Sequence, residues 1–207
     1  MKPNFALILS MDGIALLQRT SPGWGLVGEA YPDSPDLASD MAALRAAADR
    51  LAPGDATFKV VIPNDQIRYL TIPAGSVDPV LRKQAVHNAL DGATPYALDE
   101  LVIDHAVSGK DLHIAAVALE TIQEADEFAR SFGFAPVSFV AMPEGRDYLG
   151  EPFFGTAHDV PDDIAVEPDA TAIRVTGRVR LPEEQTPTPV ATPDTDTTSG
   201  TAPDAGA

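Results

Sequence analysis

The sequence contains no cysteine in 207 residues, which excludes a disulfide framework, a thiol nucleophile and a cysteine-ligated zinc site together. It has no apolar run near the roughly 20 residues that a membrane-spanning helix needs. It also lacks G-x-S-x-G, a P-loop lysine motif and a G-x-G-x-x-G that follows a strand, so hydrolase elbows and phosphate-cradling loops leave no signature. Positive charge is scarce: 14 Lys and Arg stand against 31 Asp and Glu, for a net charge of −17. An acidic surface repels phosphate backbones and anionic headgroups, which disfavours nucleic acid and bare membrane and leaves protein or small-molecule partners. The last 51 residues, 157–207, hold ten acidic and three basic residues, a net of −7, so the first 156 carry −10 and both parts are acidic.

What is present is a soluble protein's share of apolar residues, 44%, arranged in short periodic segments. The opening stretch FALILSMDGIALLQRT has one lysine before it, but Asp12 and Gly13 cut its apolar run and no A-x-A site follows. An export signal is therefore not expected, and the chain is read as cytoplasmic. Asp12-Gly13 between two β-compatible runs predicts a hairpin, and GWGLVGEAY (23–31) a third strand. A helix follows with Asp36 as N-cap and a stripe of Leu37, Met41, Leu44, Ala48 and Leu51, ended by Pro53-Gly54. FKVVIP (58–63) reads as a buried strand, completing β-β-β-α-β.

Residues 67–142 spell a second unit. IRYLTI is a strand, and Asp78-Pro79 supplies the N-cap and first residue of a helix that runs to about Leu90. ELVIDHAV and LHIAAVALE flank the tight polar loop 108–111. Thr121 and Glu124 form a capping box for a helix whose stripe is Ile122, Ala125, Phe128, Ala129 and Phe132, with Gly133 as its C-cap and APVSFVAM as the closing strand. The order β-α-β-β-α-β is that of a ferredoxin-like unit. Beyond Pro143 come the aromatic cluster EPFFG (151–155), an acidic, proline-punctuated stretch and IRVTGRVRL (173–181). The last alternates Ile173, Val175, Gly177, Val179 and Leu181 with Arg174, Thr176, Arg178 and Arg180. It either adds a strand to the domain's own sheet or offers itself to a partner by β-augmentation. From Pro182 on, composition predicts disorder.

Chemistry-bearing clusters are few. His105 and His113 lie on adjacent strands near Asp104, but Asp104 and His105 are consecutive and point to opposite faces, which leaves two imidazoles short of the three ligands a catalytic zinc takes. His87 and His158 read as solvated. Among the aromatics, Trp24, Tyr31 and Tyr69 are read chiefly as core, while Phe153-Phe154, set between proline and glycine, either strap the tail to the domain or meet a partner.

The element order, VVIPNDQIRYLTIP with its following helix, Thr94-Pro95-Tyr96 ahead of the strand with Asp104, and HIAAVALETIQEADEFARSFGFAP together resemble the first lobe of the actin-like PilM and GspL group of type IV pilus and type II secretion platforms. The resemblance covers about residues 5–142. It implies an α+β fold: a β-β-β-α-β actin-like (RNase H-like) half-lobe at 1–66, an inserted ferredoxin-like subdomain at 67–143, an extended strap at 144–181 with an added strand at 173–181, and a disordered acidic tail at 182–207. Nucleotide-binding members of that superfamily carry on their first hairpin an Asp, a glycine two residues on and a Ser/Thr. Here the order is Asp12-Gly13-Ile14-Ala15, and few structured residues remain after Met142 to build a second lobe. The expectation is a non-enzymatic scaffold or adaptor, the N-terminal part of a larger cytoplasmic or membrane-associated assembly protein. It would use no cofactor, metal or nucleic acid and have no direct membrane insertion, and Phe153, Phe154, Arg174, Arg178 and Arg180 would meet protein partners. The alternative is a degenerate or split actin-like nucleotide-binding ATPase lobe.

Overall fold

Three short strands, each rich in residues that pack well on a pleated surface, open the chain as an antiparallel meander: β1 (Phe5–Leu9), β2 (Ile14–Arg19) and β3 (Trp24–Ala30). The computed structural model describes residues 1–21, 23–75, 78–143, 148–161 and 163–182, so the tail expected over 182–207 lies, Pro182 excepted, outside the described residues. The first hairpin closes through the four residues 10–13 between the paired Leu9 and Ile14, and Gly13 is not in the left-handed region. The expected hairpin forms, but without the two-residue primed turn that Asp-Gly favours.

Helix α1 (Leu37–Leu51) starts where the Asp36 carboxylate accepts the Ser39 amide at 3.2 Å, and it buries Met41, Leu44 and Ala48 on the sheet. Strand β4 (Phe58–Ile62) is buried at every residue and pairs parallel with β1. The chain then leaves this sheet. Strand β5 (Ile67–Pro73), helix α2 (Pro79–Leu90), β6 (Leu101–Ser108) and β7 (Asp111–Ala118) build a separate three-stranded antiparallel sheet of order β5-β7-β6. Asp78 caps α2 by accepting the amides of Val80 and Leu81 at 2.8 and 3.3 Å. Val86 and Leu90 of α2 pack on Leu112, Ile114 and Ala116 of β7.

Helix α3 (Leu119–Ser131) and strand β8 (Pro136–Ala141) return to the first sheet, where β8 pairs parallel with β4. This corrects the ferredoxin-like expectation, in which the fourth strand would lie beside β5. The reason is burial: five of the six β8 residues are buried, and only the interior of the larger sheet covers both faces of such a strand. The unit 67–143 is thus divided, with 67–118 in the smaller sheet and its helix and α3 and β8 returning to the larger sheet. The Thr121–Glu124 capping box is also corrected. β7 runs straight into the helix, whose N-cap is Ala118 with no side-chain cap, so Thr121 already lies inside the first turn.

Two further strands extend the large sheet to seven, in the order β10-β3-β2-β1-β4-β8-β9. Strand β9 (Phe153–Thr156) pairs antiparallel with β8 at one edge, and β10 (Val175–Arg178) pairs parallel with β3 at the other. The chain between them first stays by the helices, with Ala157 and Val160 in the helical core and Asp159 paired with Arg130 of α3, and reaches the opposite face at Asp169 and Ile173. The helical side holds the larger core, with Phe5 stacked on Phe58 and Phe58 edge-on to Phe134. The opposite side holds a smaller cluster of Ala6, Leu17, Trp24, Val61, Val140 and Ile173.

Candidate functional site

In open sheets with parallel strands, ligand sites favour the carboxyl ends of the strands. Here β1, β4 and β8 end together, and the 10–13 turn, the residues after β3 and the short 3₁₀ turn 64–66 overhang them. Asn64 ties this corner down: its Nδ2 donates to the Met142 carbonyl at 2.7 Å, and the Tyr69 hydroxyl donates to its Oδ1 at 2.8 Å. A cavity of about 410 Å³ opens between the turn and α3, lined by Leu9, Met11, Ile14, Pro32, Ala125 and Phe128, with the carboxylates of Asp65 and Glu124 among its polar groups. A second cavity of about 500 Å³ shares Met11 and Asp65 and adds Asp12, Asn64 and Met142. Met11 is 84% exposed and Tyr31 53%, so apolar surface continues outside the groove.

The chemistry of this corner is that of an apolar groove with an acidic rim. Among the described residues, no lysine or arginine lines either cavity. The turn's amides are also engaged: the Asp12 N–H donates to the Ser10 hydroxyl at 3.0 Å, and the Gly13 N–H to the Ser10 carbonyl at 3.4 Å. An anionic phosphate here would face carboxylates, with neither of these donors free to receive it.

Sequence reasoning missed a buried cluster of charge on the strapped face. Lys59 sits in the apolar strand β4 and is 1% exposed, with its ammonium bonded to Glu151 and, at 2.8 Å, to Asp169 Oδ2. Arg19 clasps both Asp169 oxygens at 3.0 and 2.8 Å, and the Asp169 amide donates to Glu151 Oε2 at 3.1 Å. Both cations lie over the Trp24 ring, Arg19 at 4.5 Å and Lys59 at 4.6 Å. Burial pushes the Asp169 carboxyl up, but the hydrogen bonds and charges of Arg19 and Lys59 outweigh it and hold it at about 2. At Glu151 burial wins against the pull of Lys59, and its pKa is raised. The signal was available: a lone lysine inside a fully apolar central strand has to find buried carboxylates.

The predicted contact residues divide between core and surface. Phe154 is buried in the main core and Phe153 packs half-buried beside Val140, so the aromatic pair is a strap onto the domain and not an exposed anchor. Their burial follows from β9 pairing with β8, which turns the two rings to opposite faces. Arg174, Arg178 and Arg180 are exposed. The Arg174 carbonyl accepts the Trp24 amide at 3.0 Å, and the Arg178 guanidinium reaches Glu29 at 3.0 Å. Self-packing is therefore what IRVTGRVRL does, although all four β10 residues stay exposed and the expected apolar face is buried only at Ile173. The fit to β3 is close. A Cβ on Gly23 would meet the Arg174 carbonyl oxygen at 2.8 Å, and one on Gly25 would meet Val179 Cγ2 at 2.6 Å, which accounts for the first two glycines of GWGLVG, while the third, Gly28, faces Leu44 of α1.

The histidine pair does not form. His105 is opposite Ile114 and His113 opposite Ala106, so the two rings lie on opposite faces; His113 Nδ1 instead meets Thr71 Oγ1 at 3.0 Å. Asp104 joins the insertion to the strap by accepting the Tyr148 hydroxyl and the Phe153 amide, each at 2.8 Å. Burial and that carboxylate push the Tyr148 phenol well above its ordinary value. No group of three or more metal-ligating side chains occurs, and no helix is long and apolar enough to cross a membrane, among the described residues.

No protein-family model and no curated protein matches the chain. Among solved structures it is similar to the cytoplasmic domain of EpsL, an inner-membrane component of the Vibrio cholerae type II secretion system, at 8% identity and a TM-score of 0.48 over 65% of this chain and 55% of that one. It is similar to the PilM-PilN type IV pilus biogenesis complex at 17% identity and a TM-score of 0.47 over 67% and 47%. A third likeness is to a protein of actin-like ATPase fold and unknown function from Bacteroides thetaiotaomicron, at 12% identity and a TM-score of 0.38 over 65% and 50%. The chain spans about half the length of each of these structures. The first two come from the secretion and pilus systems whose actin-like components the sequence resembles.

Proposed function

We propose that the chain is a non-enzymatic adaptor domain that holds a protein partner in the apolar groove beside the 10–13 turn, at the cytoplasmic face of a membrane-associated assembly. The observation that supports this reading is the groove's composition: an apolar lining, the carboxylates of Asp65 and Glu124 among its polar groups, no lysine or arginine among the described residues that line it, and an exposed Met11. Such a surface suits an apolar segment with basic flanks, since desolvated apolar anchors supply affinity and the acidic rim selects sign.

The competing reading is a degenerate or split nucleotide-binding lobe. The carboxylate-lined cavities and the internally bonded turn amides weigh against it. The deciding experiment has two arms. Magnesium-ATP is expected to leave the melting temperature unchanged, and a saturable rise would favour the nucleotide reading. A photo-crosslinker at Met11 is expected to give one defined protein adduct in the native host, lost on Phe128→Asp; adducts that Phe128→Asp leaves unaltered would remove the groove from the account.

A further inference from the structure

Away from that groove, the insertion carries a pocket of opposite character. A cavity of about 290 Å³ lies between α2 and the edge strand β6. Its charged and ring-nitrogen groups are Arg82, Lys83 and His87 of α2 and His105 of β6; its apolar wall includes Val86 and Ile103, and among the described residues no carboxylate lines it. On a chain of net charge −17, two of its 14 lysines and arginines sit here with two of its four histidines. The register explains why His105 is there: alternation along β6 places it on the same face as Leu101 and Ile103, the face that packs toward α2.

Arg82 supplies an independent observation. Its Nε–H is buried with no hydrogen-bond partner, alone in this respect among the described side chains. No ion pair to Arg82 or Lys83 occurs among the described residues either, a state they share with Arg50, Arg68, Lys110, Arg174 and Arg180, whereas Arg19, Arg45, Lys59, Arg130 and Arg178 have carboxylate partners. A buried donor without an acceptor is unfavourable, and Lys83 with His87 at i,i+4 adds like-sign repulsion whenever the imidazole is protonated. An oxyanion in the cavity would relieve both. The guanidinium offers paired donors that match phosphate or carboxylate oxygens, with Lys83 as a mobile charge and the imidazoles as further donors.

We propose that this pocket is a binding site for a small oxyanion, a phosphate group on a compact carrier whose apolar part rests on Val86 and Ile103. The volume sits just below the usual range of about 300–1,000 Å³ for small-molecule sites, which suits a phosphate monoester and is tight for a nucleoside triphosphate. The site is independent of the adaptor reading and shares no residue with the groove.

The test is a titration of the ¹⁵N-labelled full chain with inorganic phosphate and with phenyl phosphate, with ionic strength held constant by sodium chloride. Saturable amide shifts confined to residues around 79–87 and 103–105 are expected, with phenyl phosphate the tighter ligand. Arg82→Gln should weaken binding about tenfold or more, as the loss of a charge-assisted bond implies. Lys83→Gln, at an exposed position that folding does not depend on, should weaken it about threefold, and Arg68→Gln on β5 should leave it unchanged. Shifts that do not saturate, shifts that chloride reproduces, or equal losses in all three variants would overturn the site. Tighter capture of an oligoglutamate peptide than of phenyl phosphate would also overturn it, in favour of a protein partner's carboxylates.

Discussion

The two faces of the seven-stranded sheet are covered by different means. On one, α1 and α3 lay apolar stripes over a cluster of Phe5 from β1, Phe58 from β4 and Phe134, and packing is nearly all hydrocarbon. On the other, an extended strap without helical periodicity is fastened by Lys59, Arg19, Glu151 and Asp169 over a small apolar patch. The first face draws its stability from buried area; the second depends on charges that are satisfied only together. The contrast separates what makes the fold from what closes it.

Perturbing each face measures the difference. Phe58→Ala should cost about 3–5 kcal/mol and lower the midpoint of a single chemical unfolding transition, because it opens a cavity between two aromatic neighbours. Lys59→Ala should cost about 3 kcal/mol by leaving Glu151 buried without its cation and Asp169 to Arg19 and Lys2, and limited proteolysis should then cut within residues 163–172 before the helical core is touched. Lys59→Met together with Glu151→Leu should recover much of that loss, which would separate the penalty of a broken pair from the worth of an intact one.

Acid acts on the strapped face through Asp169 and Glu151, and on the α3 side through the exposed Asp159, whose carboxyl Arg130 holds below its ordinary value. Asp169 is held at about 2 in the fold, below the roughly 3.9 of an unfolded aspartate, so its contribution is complete above about pH 4 and is lost as pH falls toward 2. Glu151, raised by burial, has the opposite sign: its ionisation removes stability as pH rises through its folded pKa. Asp169→Asn should therefore flatten the stability profile between about pH 4 and 2, read by urea unfolding at each pH, at a cost near neutrality of about 1–2 kcal/mol. The smallest effect is expected at Arg178→Ala, which removes an exposed pair with Glu29 and should change stability by less than about 1 kcal/mol.

Local physics made the helical face legible. The spacing of Met41, Leu44 and Ala48, the Asp36 and Asp78 caps and the stripe of Ile122, Ala125 and Ala129 are short-range patterns, and each reads the same in sequence and structure. The destination of β8 was not local. β-α-β-β-α-β describes a ferredoxin-like unit and equally an insertion followed by a return, and the choice lies in whether Phe139 and Val140 need cover on one face or two. The strap was half legible: Ile173 and EPFFG marked where it touches, whereas Asp169 looked like one more acid in an acidic tail until Lys59 and Arg19 were found facing it. The groove could not be assembled from sequence because its walls come from β1, the 64–66 turn and α3, which meet only in the finished sheet.

The glycines at 23 and 25 bear on how the chain is made. On a ribosome, β3 emerges with its outer edge shaped to fit a strand that is still about 150 residues from synthesis, and Lys59 waits 92 residues for Glu151 and 110 for Asp169. Until those arrive, the nascent domain presents an open sheet edge and an unpaired cation while its helical side can already be consolidated. One face of the sheet is thus closed by strands and charges that lie close together in the chain, and the other only by segments made more than 90 residues later.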